Sequence, residues 1–423
     1  MALLRRLVSF SPRWATTGSL LSAVATPPTS PSPPLGGGVP PLRFGRYPPG
    51  RPAAAAAAAA ALSTTAPPLP PVAFVGLGAM GLPMANRLAA AGVRLRVYDA
   101  SPAAVGAFFD SLPPLSAGAG GRVTAVEKLD DLVPLSSEAS PRAVGTGDGG
   151  GAHPPTPPPP PMALITMLPS TAAVAATLHA LAPRAPAGAV FIDMSTIPPE
   201  ESRALAKRVA AVTGRLGDDS AGDGSDDRVH VLDAPVSGGT AAAAAGTLTI
   251  IIGGAADSVA AVTPLLSIMG RPVHVGASGA GQVVKAANNL VLGASMAAVA
   301  EATALAAAAG VPPATTAGVL ATSSGRCWAG DVYHPAPGVV AGAPSGRGYT
   351  GGFRVELMRK DLGIAKGMGS ARGGKIPTPM ADAADGVYRA MSESGGEGKD
   401  FSGIFEYVYT GTRGDKPSAA AGA

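Results

Sequence analysis

The stretch that decides the fold is Val72-Ala-Phe-Val-Gly76-Leu-Gly78-Ala-Met80-Gly81, followed by Leu82–Ala91 and then by Leu95-Arg-Val-Tyr-Asp99. Val72–Val75 is short, apolar and β-branched, the pattern of a strand buried on both faces. Three glycines follow in GxGxxG spacing and open a helical run that ends at Gly92. A second apolar strand, Leu95–Tyr98, closes on an acid. Strand, glycine turn, helix, strand and acid within about 30 residues predict a βαβ unit that binds a dinucleotide. Gly76 permits the tight turn and Gly78 the close approach of a pyrophosphate. Met80 and Gly81 begin the helix whose free amides receive that pyrophosphate. Asp99 stands about 20 residues beyond the glycines, where a carboxylate accepts from a ribose 2′-hydroxyl. A carboxylate also repels a 2′-phosphate, and Ala100-Ser101 supplies no arginine to receive one. The expected cofactor is therefore NAD. Arg94 and Arg96 are expected to alternate toward solvent.

Working outward, further apolar runs fit the same doubly wound sheet. Ala163–Leu168 exits into Pro169-Ser170, Val190–Asp193 into Met194-Ser195-Thr196, and Val229–Asp233 into Ala234-Pro-Val-Ser237-Gly238-Gly239. Ligands bind beyond the carboxyl ends of such strands. Glycine amides beside the Ser237 hydroxyl suit a small carboxylate. Thr247–Gly253 reads as one more strand. A long helix then begins at Gly279-Ala-Gly-Gln-Val-Val-Lys285 and continues to about Ala309. At 1.5 Å per residue it spans roughly 45 Å, enough to pass from one domain into the next. Lys285 and Asn289, four apart, share one face. At a cleft, such a cation and amide can exchange and direct a hydroxyl proton. From spacing alone, a lysine at a helix start is usually a surface residue.

Composition bounds the rest. The chain has 423 residues, of which 57 are Gly and 44 Pro, close to a quarter together, while only 14% are charged. This predicts a folded part with low-complexity additions. Net charge is +4, and no run of basic residues suggests nucleic-acid binding. One Cys excludes an internal disulfide, and the five His are scattered without ligand spacing, so no metal is expected. The alanine run Ala53–Ala61 is too short for a bilayer, and Glu301 interrupts Asn289–Gly310, so no membrane span is expected. The first acidic residue is Asp99, and residues 1–66 are rich in Arg, Ser, Ala and Pro. That is the composition of an organellar transit peptide; mitochondrial and chloroplast peptides overlap in it, and the basic, acid-free start favours the mitochondrion. Segment 134–161 is a Pro/Gly-rich insertion expected to carry no core, and 217–227 a shorter acidic one that lacks the Gly and Glu of a calcium loop.

Eight stretches in order resemble the β-hydroxyacid dehydrogenase family: FVGLGAMGLPMANRL, ITMLPS, IDMSTI, DAPVSGGTAAAAAGTLT, GAGQVVKAANN, SSGRCW, GGFRVELMRKDLGIA and DFSGIFE. They run from about Val72 to Tyr407, and SSGRCW with YHPAPGV resembles the branch that acts on hydroxyisobutyrate. The resemblance implies an N-terminal Rossmann domain, residues 70–278, joined by the long helix to an all-helical domain, residues 279–415. It implies catalysis by Lys285 with Asn289 orienting the substrate, and a carboxylate anchor at Ser237, Gly238 and Gly239. Leu168, Pro169, Thr196 and Lys360 would line the cofactor beside Gly76, Gly78, Met80, Gly81 and Asp99. The implied reaction is NAD-dependent oxidation of 3-hydroxyisobutyrate to methylmalonate semialdehyde, in valine breakdown, by a dimer or tetramer. The alternatives are a glyoxylate or succinic semialdehyde reductase of the same family and a non-catalytic dinucleotide-binding scaffold. Ala173 departs from the family's usual polar residue. Cys327, without a nearby His, is expected to be a buried structural thiol. Arg326 is left between substrate and a helix end.

Overall fold

The computed structural model describes residues 69–112, 123–133, 162–213, 229–371 and 376–411. The segments read as transit peptide (1–66) and as insertions (134–161 and 217–227) lie outside them.

The first half alternates strand and helix. β1 (Val72–Val75), α1 (Gly81–Ala90), β2 (Leu95–Tyr98), α2 (Pro102–Asp110) and β3 (Val123–Ala125) make the first βαβαβ run. β4 (Ala163–Thr166), α3 (Thr171–Leu181), β5 (Val190–Asp193), α4 (Pro199–Val212) and β6 (His230–Asp233) make the second. The short β7 (Val236–Ser237), α5 (Gly239–Ala245), β8 (Leu248–Gly253), α6 (Ala256–Leu266) and β9 (Gly270–Gly276) complete the sheet. The strands lie in the order β3-β2-β1-β4-β5-β6-β8-β7, with β9 paired to β8. β3 through β6 run parallel, and β8 is antiparallel to β6 and β7. The chain order reverses between β1 and β4, which creates the crevice where such sheets bind ligands.

The apolar strands are continuous because both faces are covered. In β1, Val72 and Phe74 enter one core with Met84 and Leu88 of α1. Ala73 and Val75 enter the opposite core with Leu178 of α3 and Phe191 of β5. β5 divides likewise, with Val190 and Ile192 on the first face and Phe191 on the second. Arg94 is exposed, but Arg96 is half-buried and donates from Nη1 to the carbonyl of Asp131 at 3.2 Å. The expectation of two solvent-facing arginines is corrected there, because β3 and the turn after it cover that edge.

The second half is helical. α7 (Ala280–Ala308), α8 (Pro313–Thr322), α9 (Trp328–Asp331), α10 (Val355–Ala371), α11 (Pro379–Met391) and α12 (Ile404–Gly411) follow in order. α7 packs against β8 and β9 at its start and against α10, α11 and α12 farther on. By length and composition α7 could cross a membrane, and it is the helix around which the second core forms. Met296, Val299 and Ala300 sit there with Met358, Leu362 and Tyr388. The Tyr388 hydroxyl donates to the carbonyl of Gly293 at 3.0 Å. Five aromatic rings, Trp328, Tyr333, Phe353, Tyr388 and Phe401, form a contiguous cluster beside it. Cys327 is half-buried against this core, more exposed than expected, and Arg326 pairs with Asp331 at 2.6 Å.

Two glycines mark opposite constraints. A Cβ at Gly281, in the first turn of α7, would lie 2.5 Å from the Ile251 carbonyl oxygen and 2.7 Å from that of Asp233. A Cβ at Gly78 would meet nothing within 4 Å. Gly281→Ala is expected to cost about 1–3 kcal/mol in chemical denaturation, as overpacking against backbone does. Gly78→Ala is expected to leave stability near wild type and to weaken dinucleotide binding, measured by titration.

Candidate active site

The strand exits converge on one edge of the sheet. At the first, Gly76 adopts φ +100°, and a Cβ there would lie 2.3 Å from the Met167 carbonyl oxygen. Gly78 is exposed, and no side chain caps α1 at Met80. This is an open cradle ahead of uncapped helix amides, and it fits a dinucleotide pyrophosphate. Asp99 is half-exposed at the end of β2. Its Oδ2 accepts from the Leu77 amide at 2.7 Å and its Oδ1 from the Ser101 amide at 2.8 Å. The carboxylate thereby ties the glycine turn to β2 while keeping lone pairs for a ligand hydroxyl.

The second and third exits are joined by Ser195, which is fully buried. Its Oγ accepts from the Leu168 amide at 2.9 Å. Asp193 supports this loop: Oδ1 accepts from Thr166 Oγ1 at 2.8 Å and from the Ser195 amide at 3.1 Å. Burial pushes the Asp193 carboxyl up to about 6, against the pull of those hydrogen bonds, and nearby Asp233 adds to the rise. Leu168 is half-buried and Pro169 exposed beside Thr196 on the same edge.

α7 meets this edge through Asp233. Its Oδ1 accepts from the Gly279 amide at 2.6 Å and its Oδ2 from the Gln282 amide at 3.0 Å. Gly279 is left-handed, φ +84°, and has no side chain to cap the helix, so the cap comes from β6. One turn on, Lys285 is only 7% exposed. Its ammonium donates to Asn289 Oδ1 at 3.0 Å, and Asn288 Nδ2 donates to the same oxygen at 3.0 Å. Asn289 Nδ2 in turn donates to Asp361 Oδ2 of α10 by a short bond. The acid thus decides which end of the amide faces the lysine. Lys360, next to it, lies 3.3 Å from Asp361 Oδ1 and donates to the Thr196 carbonyl at 2.8 Å. Lys285, Asn289, Thr196 and Lys360 are therefore in one bonded cluster.

Burial pushes the Lys285 ammonium down from 10.5 to about 8. Asp361 opposes the shift and Lys360 reinforces it. A lysine in this range can both release and return a proton near neutral pH. Ser237 is half-buried, while Gly238 and Gly239 are exposed with φ +139° and +71°. A Cβ at Gly238 would lie 2.6 Å from that of Ala242, whereas Gly239 faces open space. They connect to the cluster through β6, which ends at Asp233. Among the described residues, no group of three or more His, Cys, Asp or Glu is placed to hold a metal ion.

Three residues of this cluster have no role assigned from the sequence: Asp233, Gln282 and Asp361. Asp361 directly follows Lys360, and a carboxylate one position from a candidate lysine is the signal that could have found it. Gln282 and Asp233 act across 49 residues and carry no local signal.

Fold and site together define a nicotinamide dinucleotide-binding oxidoreductase with a helical second domain. Residues 71–279 match the family described as the NAD binding domain of 6-phosphogluconate dehydrogenase. Residues 279–408 match the one described as NAD-binding of NADP-dependent 3-hydroxyisobutyrate dehydrogenase. The chain belongs to the 3-hydroxyisobutyrate dehydrogenase family. A relative in Arabidopsis thaliana, named probable 3-hydroxyisobutyrate dehydrogenase, mitochondrial, is 36% identical over 80% of this chain and 88% of its own. The human mitochondrial 3-hydroxyisobutyrate dehydrogenase is 37% identical over 80% of this chain and 86% of its own. The solved structure of the Mycobacterium tuberculosis 3-hydroxyisobutyrate dehydrogenase with L-serine superposes with a TM-score of 0.64 at 28% identity. It covers 81% of this chain and 99% of its own.

The balance of charges around Lys285 is testable directly. In Asp361→Asn, the carboxylate that favours the ammonium is gone while burial remains. The Lys285 titration, followed by NMR on isotope-labelled lysine ε-methylene groups, should move below the wild-type value of about 8.

Proposed function

We propose that this chain oxidises 3-hydroxyisobutyrate to methylmalonate semialdehyde with NAD. The observation that carries the reading is the buried Lys285–Asn289–Asp361 chain set beside the Thr196 loop. In this reading the substrate carboxylate rests on Ser237, Gly238 and Gly239, and its primary alcohol faces Lys285. Neutral Lys285 takes the hydroxyl proton, and in the reverse direction its ammonium returns it. Asn289, held by Asp361, keeps the nitrogen aimed at that oxygen. A bound nicotinamide dinucleotide supplies the hydride acceptor, and its positive ring lowers the lysine further. Support for a small 3-hydroxy acid comes from the relatives' names and from the mycobacterial neighbour solved with L-serine, itself a 3-hydroxy carboxylate. Within that reading the enzyme serves valine breakdown.

NAD rather than NADP is argued from Asp99. Two backbone amides fix its carboxylate at the end of β2, so it cannot turn away from a 2′-phosphate without losing both. The name of the family matched by the second half mentions NADP. That match begins at residue 279, beyond Asp99, so it does not bear on this contact. Mitochondrial residence is supported by the names of the plant and animal relatives and by the acid-free N-terminal sequence.

An initial-rate screen of small hydroxy acids with each cofactor tests the assignment. Wild type should show its highest kcat/KM with 3-hydroxyisobutyrate and NAD. At saturating NAD, kcat/KM for oxidation should rise with pH to a midpoint at or below about 8. Lys285→Ala should lower kcat by about 10²–10⁴-fold with dinucleotide binding intact. Asp99→Ser with Ala100→Arg should narrow or reverse the cofactor ratio. Equal use of both cofactors by wild type would remove Asp99 from the ribose. For location, residues 1–66 fused to a fluorescent reporter should enter mitochondria, and a cytosolic signal would refute that.

A further inference from the structure

Ser195, Thr196 and Ile197 are restrained at three successive residues from the opposite side of the cleft. Gln282 Nε2 donates to the Ser195 carbonyl at 2.8 Å, and Gln282 Oε1 accepts from the Ile197 amide at 3.2 Å. Between them, Lys360 donates to the Thr196 carbonyl. The other side of the loop is held by the Leu168 amide on Ser195 Oγ. Gln282 has no solvent exposure, and its own amide is bound to Asp233. It lies three residues before Lys285, on the same side of α7.

The side chain behaves here like a piece of neighbouring strand, offering a donor and an acceptor to two backbone groups. Few residue types can do this. Glutamate lacks the donor, and asparagine is one methylene shorter. An apolar residue would leave a buried carbonyl and a buried amide without partners, each at a desolvation cost. The bond pair also spans the two parts that chemistry must align. One is the loop that lines the cofactor; the other is the helix turn that carries the proton acceptor.

We infer that Gln282 is a positioning residue, which sets the Ser195–Ile197 loop at a fixed distance from Lys285 Nζ. Its kinetic consequence rests on the dehydrogenase reading above; its effect on dinucleotide binding does not. A displacement of about 1 Å between reacting groups can cost on the order of 10²-fold in rate. The loss should therefore appear in kcat and in cofactor affinity more than in substrate KM.

Two variants test this in the full-length protein. Gln282→Met has similar length and neither donor nor acceptor. At saturating NAD its kcat should fall about 10–10²-fold while KM for 3-hydroxyisobutyrate stays near wild type. Its Kd for NADH, read by fluorescence and used to count folded sites, should rise. Gln282→Glu keeps the acceptor for Ile197, loses the donor to Ser195, and sets a carboxylate near Lys285. Its kcat per NADH site should fall and its Kd for NADH rise, as the lost Ser195 bond frees the loop, whereas a purely structural role would lower only the melting temperature. If Gln282→Met does not fold, the near-isosteric Gln282→Glu alone decides. Wild-type kcat per NADH site together with a wild-type Kd for NADH would overturn the inference, as would a lowered melting temperature with both unchanged. If wild type oxidises no hydroxy acid, the functional reading fails separately. NADH affinity then decides, and wild-type Kd in both variants overturns the positioning role.

Discussion

A single buried carboxylate sets the direction of everything beyond the sheet. Asp233 ends β6, is 1% exposed, and receives two amides of the first turn of α7. A helix start carries unsatisfied amides and partial positive charge, and a carboxylate answers both. Here that carboxylate comes from a strand 46 residues earlier, so capping the helix also docks it. Burial raises the Asp233 carboxyl, and the Gly279 and Gln282 amides hold it back down. The space for this joint is made by glycines. A Cβ at Gly253 would lie 2.6 Å from Asp233 Oδ1, and one at Gly281 2.8 Å from Oδ2. Once the first turn is fixed, a rigid helix carries Gln282, Lys285 and Asn289 to set positions over the strand exits.

α10 then supplies the charges that tune what α7 has placed. Lys360 and Asp361 are adjacent in sequence, yet one reaches down to the Thr196 loop and the other across to Asn289. Asp361 favours a charged Lys285, while Lys360 and burial disfavour it, and burial is the largest effect. The result is an amine with both protonation states within reach of neutral pH. The same acid orients the Asn289 amide, so charge balance and geometry are set by one side chain. Neither domain holds this arrangement alone, because the tuning charges come from the helical part and the loop they touch from the Rossmann part.

How much of this could be read from the chain follows from which interactions are local. β1, β2 and β5 appear at the ranges expected, because runs such as Val-Ala-Phe-Val need two covered faces and can hardly be anything else. α7 was equally legible from its glycine-rich start and its stop at Gly310. β3 and β9 escaped notice: β3 is three residues with two exposed, and β9 mixes Gly, Arg, Pro and His at a sheet edge. Such edges take their pairing from the neighbouring strand, with little pattern of their own. Arg96 departs from the alternation its strand predicts for the same reason, since the turn it donates to is 35 residues away. That Lys285, Asn289, Thr196 and Lys360 stand together is expected from the family resemblance, and hydrogen bonds join them in one cluster. Gln282, Asp233 and the reach of Asp361 depend on long-range pairing that no spacing rule encodes.

The joint at Asp233 bears on how this chain can be taken apart. The two family matches meet at residue 279, and Gly279 is one of the two residues whose amides bind Asp233. The described residues, from Leu69 to Gly411, fall in one compact unit. A cut at that boundary would strand a buried acid in the first fragment and an uncapped helix in the second. The two matched parts are thus not separable at residue 279 without breaking this joint. Recombining the first half with a foreign helical half requires carrying Gly279–Gln282 along with Asp233, as one inheritance.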